Sequence, residues 1–310
     1  MKKTVVILIS DKRSGSTLFQ RELLKHADVN ALAYSPHTFL ESHHWLKGAV
    51  MLNKNDGWGF SNNTVYRGYG SKANARKYME DCIVGNIPDF AVPKDDKDLI
   101  FRGWEALCER YARPVFFEKS PQIVAHMAAL DLLFEWYKYT SFRVKFVFLV
   151  RNPMSIMYSA HQLFYTDPES RQYGWLNLMS NMFEFYNKID NSNRIWLRYE
   201  ELVDNPKSTF KIVQDFIGVP IESILGSEAH RESKKKWIDD ENFVFQFNDE
   251  IKEFIYKLGY SNEDIFNTLG KKPKFSYQFW IWFKRNIKLP LQRFKNRVLR
   301  PLQLRSVKRK

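Results

Sequence analysis

Apolar and polar positions along the chain follow two periods, and they alternate. Residues 4–10, TVVILIS, form a short, continuous, β-branched apolar run and predict a buried strand. Residues 11–15 carry Ser and Gly and predict a turn. Residues 16–26, STLFQRELLKH, set Leu18, Leu23 and Leu24 on one side of a helix. A second short apolar run, PVFFE, covers 114–118. It is followed by a helical pattern at about 121–139, with Ile123, Met127, Leu130, Phe134 and Tyr137 recurring at helical spacing. VKFVFLV at 144–150 is the strongest strand signal in the chain, and Pro153 suits the first position of a following helix, where its missing N–H is not needed. RIWLR at 194–198 predicts a further strand. Beyond it, Asn205 reads as a cap, Pro206 as the first helical residue and Gly218 as the stop, with Phe210, Val213 and Ile217 on a shared face.

Strands alternating with helices predict an α/β fold: a central parallel sheet flanked by helices, P-loop-like in its first βα unit, forming a single domain over residues 1–270. Such sheets bind ligands beyond the carboxyl ends of their strands. Segments Ser10–Thr17, Glu118–Pro121 and Arg151–Ser159 should therefore converge on one rim. Residues 42–113, with Gly-Trp-Gly and Arg-Gly-Tyr-Gly stretches, look less regular and predict an insertion that covers this rim and shapes an acceptor site. No internal repeat is evident.

Charge changes the picture. The chain has 310 residues and a net charge of +13, but residues 271–310 hold eight Lys and six Arg and no acid. The whole surplus lies in this tail and the body is close to neutral, which argues against a body that grips nucleic acid. No stretch of about 18 uninterrupted apolar residues occurs, so no membrane span is expected. The opening MKKTVVILIS leads into a charged loop with no small-residue cleavage site and is expected to be a first strand, not a leader. Cys82 and Cys108 make neither a disulfide framework nor a metal-ligand spacing, and suit a reducing, cytoplasmic setting.

The first turn, Asp11-Lys12-Arg13-Ser14-Gly15-Ser16-Thr17, lacks the Gly-Lys pair of a nucleotide-hydrolysing P-loop: Ser10 stands where the first Gly would be and Ser16 where the Lys would be. The helix start still offers N–H groups and a positive dipole end to an anion, the hydroxyls of Ser14, Ser16 and Thr17 add donors, and the cation has moved forward to Arg13. The second segment, FLVRNPMSIMYSAHQLF at 148–164, ends a strand on Arg151 and sets Ser159 slightly over two turns into the next helix. An Arg fork and a hydroxyl there can grip a second phosphate. Taken together, Lys12-Arg13-Ser14-Gly15-Ser16-Thr17 and Arg151-Asn152-Pro153 with Ser159 resemble the two cofactor motifs of the sulfotransferases that use 3′-phosphoadenosine 5′-phosphosulfate (PAPS). WLRYEELVDNPKSTFKIVQDFI at 196–217 resembles the same family's supporting segment. The resemblance covers roughly 3–41 and 114–220. It departs from the family pattern at Lys12 (usually Pro), Ser16 (usually Thr) and Asn152 (usually Asp). It implies that Lys12 to Thr17 hold the 5′-phosphosulfate, that Arg151 and Ser159 hold the 3′-phosphate, and that no metal is needed.

Sulfuryl transfer needs a base for the acceptor proton and cations for the charge gathering on the leaving phosphate. Thr38-Phe39-Leu40-Glu41 resembles the position of the base in sugar-modifying members, which makes Glu41 the first candidate and His37, a neutral imidazole near pH 7, the second. Glu118-Lys119-Ser120-Pro121 resembles the family's Glu-Lys-Ser/Thr-Pro segment. There Lys119 is expected to reach the transferred group and Glu118 to be a third candidate base or a salt-bridge partner. Arg13 completes the catalytic set. His43 and His44 are adjacent and should point apart, with no third residue spaced for zinc.

Family analogy and nine Trp, whose rings can stack on sugars, point to a carbohydrate or glycolipid hydroxyl (or amine) as acceptor. Ser233-Lys234-Lys235-Lys236-Trp237 reads equally as a basic lid or a solvated charge run. In the tail, Phe279, Trp280, Trp282 and Phe283 lie among Lys and Arg, which suits peripheral contact with an anionic membrane, in competition with a segment packed on the body, an RNA-binding tail or an arm for an acidic polysaccharide, and Pro290 interrupts any single long helix. Two other functions compete: a P-loop kinase-like phosphotransferase, disfavoured by the missing loop Lys, and an inactive membrane- or polyanion-binding protein on the same fold.

Overall fold

The computed structural model describes residues 3–37, 39–54, 71–228, 234, 236–266, 273–292 and 294. In chain order the elements are β1 (Thr4–Ser10), α1 (Ser16–Leu23), β2 (Val29–Asn30), α2 (His44–Met51), α3 (Lys72–Asn86), α4 (Asp96–Tyr111), β3 (Val115–Lys119), α5 (Met127–Tyr139), β4 (Arg143–Val150), α6 (Pro153–Phe164), α7 (Pro168–Lys188), β5 (Arg194–Arg198), α8 (Tyr199–Asp204), α9 (Pro206–Ile217), α10 (Asp249–Lys257) and α11 (Phe275–Phe283). The five strands form one parallel sheet in the order β2-β3-β1-β4-β5. The strand runs anticipated from the apolar pattern are all present.

The chain divides into two compact units. One comprises Met1–Arg151 and Trp175–Arg231, the other Asn152–Gly174 and Glu232–Lys310. The first holds the sheet. Alternate residues of its strands point to opposite faces. On one face Val6, Leu8, Phe117, Val147 and Leu149 pack with Phe19 and Leu23 of α1 and with Phe210, Val213 and Ile217 of α9. Phe19 lies between Phe117 and Phe210, at ring-centroid distances of 6.0 and 5.5 Å. Burying a ring of this size is worth about 2–3 kcal/mol. On the other face Phe116 meets Trp104 at 5.7 Å and Phe146 meets Phe185 of α7 at 5.4 Å.

Register fixes the functional edge. β1 pairs with β3 from Thr4↔Val115 to Leu8↔Lys119, and with β4 up to Ser10↔Leu149, while β4 pairs with β5 up to Val150↔Arg198. The segments that follow Ser10, Lys119, Val150 and Arg198 therefore leave the sheet at the same end, as the alternation predicted.

Some elements differ from expectation. α1 stops at Leu23 instead of 26, because Lys25 and His26 close tight turns onto Glu22 and Leu23 and the His26 ring contacts the Pro220 carbonyl at 2.8 Å. The predicted helix at 121–139 is two pieces, a 3-10 turn at Pro121–Ala125 and α5, separated by an extended His126. The period in α5 was right but the phase was not: Ala129, Leu132, Leu133 and Trp136 face the core with Leu130, while Phe134 and Tyr137 are half-buried.

Within 42–113 the described residues are mostly helical, in α2, α3 and α4; the Gly-rich stretches 57–59 and 67–70 lie outside the described residues. Trp45, Trp104 and Trp136 form a cluster there, with centroids 5.3–5.9 Å apart.

In the second unit, Asn152 caps α6. Its side-chain oxygen accepts from Ser155 N–H at 3.0 Å and its amide nitrogen donates to the Asp264 carbonyl at 2.7 Å. A carboxylate at this position lacks the second function, which gives the departure from the family Asp a structural use. Trp237, Phe243, Phe245, Phe247, Ile251 and Ile255 are buried here.

Candidate functional site

The first loop is shaped by its backbone. Arg13 (φ 73) and Gly15 (φ 92) are both left-handed. Buried Asp11 accepts from the Lys12 N–H at 2.6 Å on its side chain and from the Ser14 N–H at 3.3 Å on its carbonyl. Gly15 precedes α1 without any side-chain cap, and no acid occupies the helix's first turn, so this dipole end is arranged for an external anion. A Cβ on Gly15 would lie 2.2 Å from the Tyr199 ring, so only glycine fits beneath it. The Arg151 guanidinium stacks over Tyr199, 4.5 Å from its centroid, and donates from Nη1 to the Arg13 carbonyl at 2.9 Å. The loop, the end of β4 and the end of β5 are thus one packed unit. Ser14 and Ser16 are buried, Lys12 is half-buried, and Arg13 and Thr17 are exposed.

Lys119, at the end of β3, joins this loop to a second cluster. Its Nζ donates to Thr17 Oγ1 at 3.3 Å and to Glu41 Oε1 at 2.9 Å. The other Glu41 oxygen, Oε2, lies 3.1 Å from His43 Nε2 and 3.4 Å from His37 Nδ1. Burial alone would raise the Glu41 pKa, but the His43 hydrogen bond and the Lys119 charge outweigh it and hold the carboxyl at about 2. Burial lowers His43 to about 4. It is neutral at pH 7, and because a carboxylate only accepts, the proton sits on Nε2. Burial also lowers His37, partly offset by Glu41, so this ring too is neutral at pH 7.

Glu118 is buried, and its Oε1 accepts from Ser42 Oγ at 2.7 Å, Ser42 N–H at 3.3 Å and Ser120 Oγ at 2.6 Å. Its partners among the described residues are hydroxyls and an N–H, not a cation. Ser120 Oγ also accepts from the His43 N–H at 3.0 Å. Leu40 and His43 are left-handed, which for non-glycine residues costs on the order of 1 kcal/mol each. The Glu118–Ser42–Ser120 bonds hold the 40–44 segment in that shape.

Most of the predicted site residues come together. Lys12, Arg13, Ser14, Gly15, Ser16, Thr17, His37, Glu41, Glu118, Lys119 and Arg151 all belong to the first unit, and the bonds above connect them in two linked networks. Ser159 is half-buried on α6 of the second unit. Thr38 lies outside the described residues. His43 and His44 do point apart, with His44 Nε2 against the Ile100 carbonyl at 2.6 Å.

A group with metal-ligand atoms does include His43, but with His37 and Glu41 and not with His44. The ligand atoms of His37, Glu41 and His43 lie within 4.8 Å of one another, brought together by the fold of a short loop and not by a zinc-type spacing. Lys119 already neutralises the carboxylate of that trio. Sequence reasoning missed Ser42 and Ser120 as the clamp and Lys47 as a neighbour. Lys47 is buried, its Nζ 4.4 Å from the Tyr78 centroid, and burial brings its pKa down to about 7.

The sugar-stacking argument from Trp content weakens: Trp45, Trp104, Trp136, Trp175 and Trp237 are all buried core. In the suggested lid, Ser233 and Lys235 lie outside the described residues. The Lys234 carbonyl accepts from Ser155 Oγ, and Trp237 is buried.

The sequence profile of the sulfotransferase family matches residues 6–223, which span both networks. The chain belongs to the sulfotransferase family. Solved sulfotransferases agree in fold. The sulfotransferase domain of the curacin biosynthetic pathway shares 20% identity over 84% of this chain and 99% of its own, at a TM-score of 0.58. The sulfotransferase domain of the Synechococcus PCC 7002 olefin synthase shares 17% identity over 84% and 96%, at 0.56. No curated protein sequence matches the chain. Among the described residues of this sulfotransferase, no helix is long and apolar enough to cross a membrane.

Proposed function

We propose that this sulfotransferase moves a sulfuryl group from PAPS to a hydroxyl of a carbohydrate or glycolipid, acting in the cytoplasm without a metal. The observation that carries the reading is Lys119, which touches both the uncapped anion-binding loop through Thr17 and the carboxylate–imidazole cluster through Glu41. The donors of the first unit support a nucleotide: an uncapped helix start flanked by hydroxyls and Arg13 suits one phosphate, and the Arg151 fork suits the other. When bound, PAPS supplies the sulfuryl group, and its bond to the 5′-phosphate breaks as the acceptor oxygen bonds to sulfur.

Lys119 and Arg13 then stabilise charge gathering on the leaving phosphate. The base is His37 in preference to Glu41. A carboxyl held at about 2 by His43 and Lys119 is a weak proton acceptor at pH 7, whereas the neutral His37 imidazole keeps one unprotonated ring nitrogen that can take the proton. Glu41 orients that ring, and Glu118 anchors the loop that carries them. The two cysteines are buried free thiols, in keeping with a reducing compartment. The sugar assignment rests on the resemblance around Glu41 alone, since most of the tryptophans serve the core.

The test is calorimetric binding of 3′-phosphoadenosine 5′-phosphate to wild type and Arg151→Ala, with ATP plus Mg²⁺ as competitor, followed by turnover of radiolabelled PAPS by His37→Ala and Glu41→Gln. The expected result is micromolar binding that Arg151→Ala weakens at least about tenfold. In turnover, His37→Ala should lose the acidic limb of the pH–rate profile, and Glu41→Gln should shift that limb without abolishing it. Preferential binding of ATP overturns the sulfotransferase assignment in favour of a kinase. An unchanged pH profile in His37→Ala returns the base to Glu41.

A further inference from the structure

The C-terminal helix α11 has two faces. Tyr277, Ile281 and Lys284 are half-buried, at the i, i+4, i+7 spacing of one stripe. Tyr277 Oη contacts His161 Nε2 at 3.2 Å and the Gln162 amide at 3.4 Å, both on α6 of the same unit. Trp280 adds an edge contact to Tyr165 at 5.6 Å. The helix is therefore seated, and its outward face is fixed by that seat.

The outward face carries Phe275, Phe279, Trp282 and Phe283, at i, i+4, i+7 and i+8. With about 100° per residue they fall within a single arc of roughly 100°. They are 82%, 57%, 52% and 39% exposed. Phe279 and Trp282 stack on each other at 6.0 Å without burying either ring. Ile287, Leu291 and Phe294 extend the exposed apolar surface toward the C-terminus. Pro290 does not stop the chain there. Its missing N–H and ring bulk are met by a π-turn over Lys284–Lys288, after which residues 289–292 are helical again.

Cations accompany the stripe. Lys274, Arg285 and Lys288 are exposed, and the 271–310 sequence holds 14 basic residues and no acid. A contiguous exposed aromatic row in a segment of strong net positive charge matches a surface that is apolar beneath and anionic at its boundary. An acidic polysaccharide or an RNA could also use cations and ring faces, but the exposed surface continues into the aliphatic Ile287 and Leu291, which have no ring to stack and suit an acyl boundary.

We propose that the outer face of α11 docks this sulfotransferase on an anionic lipid bilayer, with Phe275, Phe279, Trp282 and Phe283 in the headgroup–acyl boundary and the segment's net positive charge drawing it to acidic headgroups. This inference is independent of the nucleotide and acceptor assignments.

The full chain is tested by co-sedimentation with vesicles of pure phosphatidylcholine and of phosphatidylcholine carrying roughly a third phosphatidylserine. Wild type is compared with the triple variant Phe275→Ser, Phe279→Ser, Trp282→Ser and with Arg285→Gln/Lys288→Gln. Wild type should bind the anionic vesicles at least about tenfold more strongly than the neutral ones, weakening as salt rises. The aromatic variant should lose at least about tenfold while retaining the wild-type circular dichroism spectrum. Tryptophan emission should shift to the blue on the anionic vesicles in wild type and less so in the Trp282→Phe protein.

Equal binding to neutral and anionic vesicles, or undiminished binding by the aromatic variant, overturns the proposal. Two further outcomes do the same: concentration-dependent dimerisation that the aromatic variant abolishes, which gives the stripe to a second copy, and heparin binding by wild type without any vesicle binding, which gives the tail to a soluble polyanion.

Discussion

Glu41→Gln tests the network at its centre. Lys119 and Glu41 side chains are 1% and 6% exposed and pair at 2.9 Å. Replacing the carboxylate with an amide leaves the ammonium buried beside a neutral dipole, with Thr17 as its other hydroxyl partner. Removing one member of a buried ion pair costs about 3–5 kcal/mol, because the remaining charge is desolvated and uncompensated. Lys119→Met should cost a similar amount for the opposite reason, stranding a carboxylate whose other partners among the described residues are imidazoles that burial keeps neutral. In the double variant Glu41→Gln/Lys119→Met neither charge remains, and Met fills the space of the lysine stem. The double should therefore be more stable than the sum of the singles predicts, with a coupling of about 1–3 kcal/mol. The assay is urea unfolding of all four proteins, followed by the fluorescence of the buried tryptophans, at fixed pH and salt. Singles that each cost under about 1 kcal/mol and add without coupling would mean that the pair is not formed in the folded protein, and the assignment of Lys119 as the link between the two networks would fall with it.

Gly15→Ala should reduce affinity for 3′-phosphoadenosine 5′-phosphate at least about tenfold by calorimetry. The new Cβ must displace the Tyr199 ring it would approach to 2.2 Å, and Tyr199 supports Arg151; the left-handed φ of 92° adds about 1 kcal/mol for alanine. Stability should also depend on acid through His44. Burial lowers its folded pKa to about 4, against 6.5 when unfolded. Between those values the unfolded chain binds more protons, so stability is full above about pH 6.5 and is lost as pH falls toward 4, by up to about 3 kcal/mol. Thermal unfolding across this window should show a steeper acid decline in wild type than in His44→Gln, and parallel curves would exclude the contribution.

How much of this was legible in the sequence depends on the distance over which each feature is made. The strand runs at 4–10, 144–150 and 194–198 and the Gly218 stop are local: β-branched runs need only neighbours to be recognised, and Gly218 takes the left-handed turn that ends α9 while its N–H bonds the Gln214 carbonyl. The loop at 11–17 was legible as an open helix start among hydroxyls because its residues are consecutive. Its dependence on Tyr199 was not, since nothing local marks a ring that arrives from β5.

The phase of α5 was misjudged because Phe134 and Tyr137 look like core by composition, and only the packing around Trp136 shows which side faces inward. The pairing of Glu41 with Lys119, and the clamp of Glu118 on Ser42 and Ser120, join residues far apart in the chain and leave no periodic trace. Capping was legible in position more than in chemistry. Asn205 does precede α9, yet its side chain makes no capping bond, whereas Asn152 makes the bond that the Asn-Pro dipeptide implied.

The stack of Arg151 on Tyr199 on Gly15 has a consequence for synthesis. The loop at 11–17 is translated well before the ring that closes over Gly15, and the strand order, with β1 between β3 and β4, also draws on later segments. A nascent chain halted before β5 has the loop's sequence without its shape, and lacks the stack that fixes Arg151 against the Arg13 carbonyl. The loop thus takes its final shape only when the edge strand β5 has docked, well after its own sequence has been made.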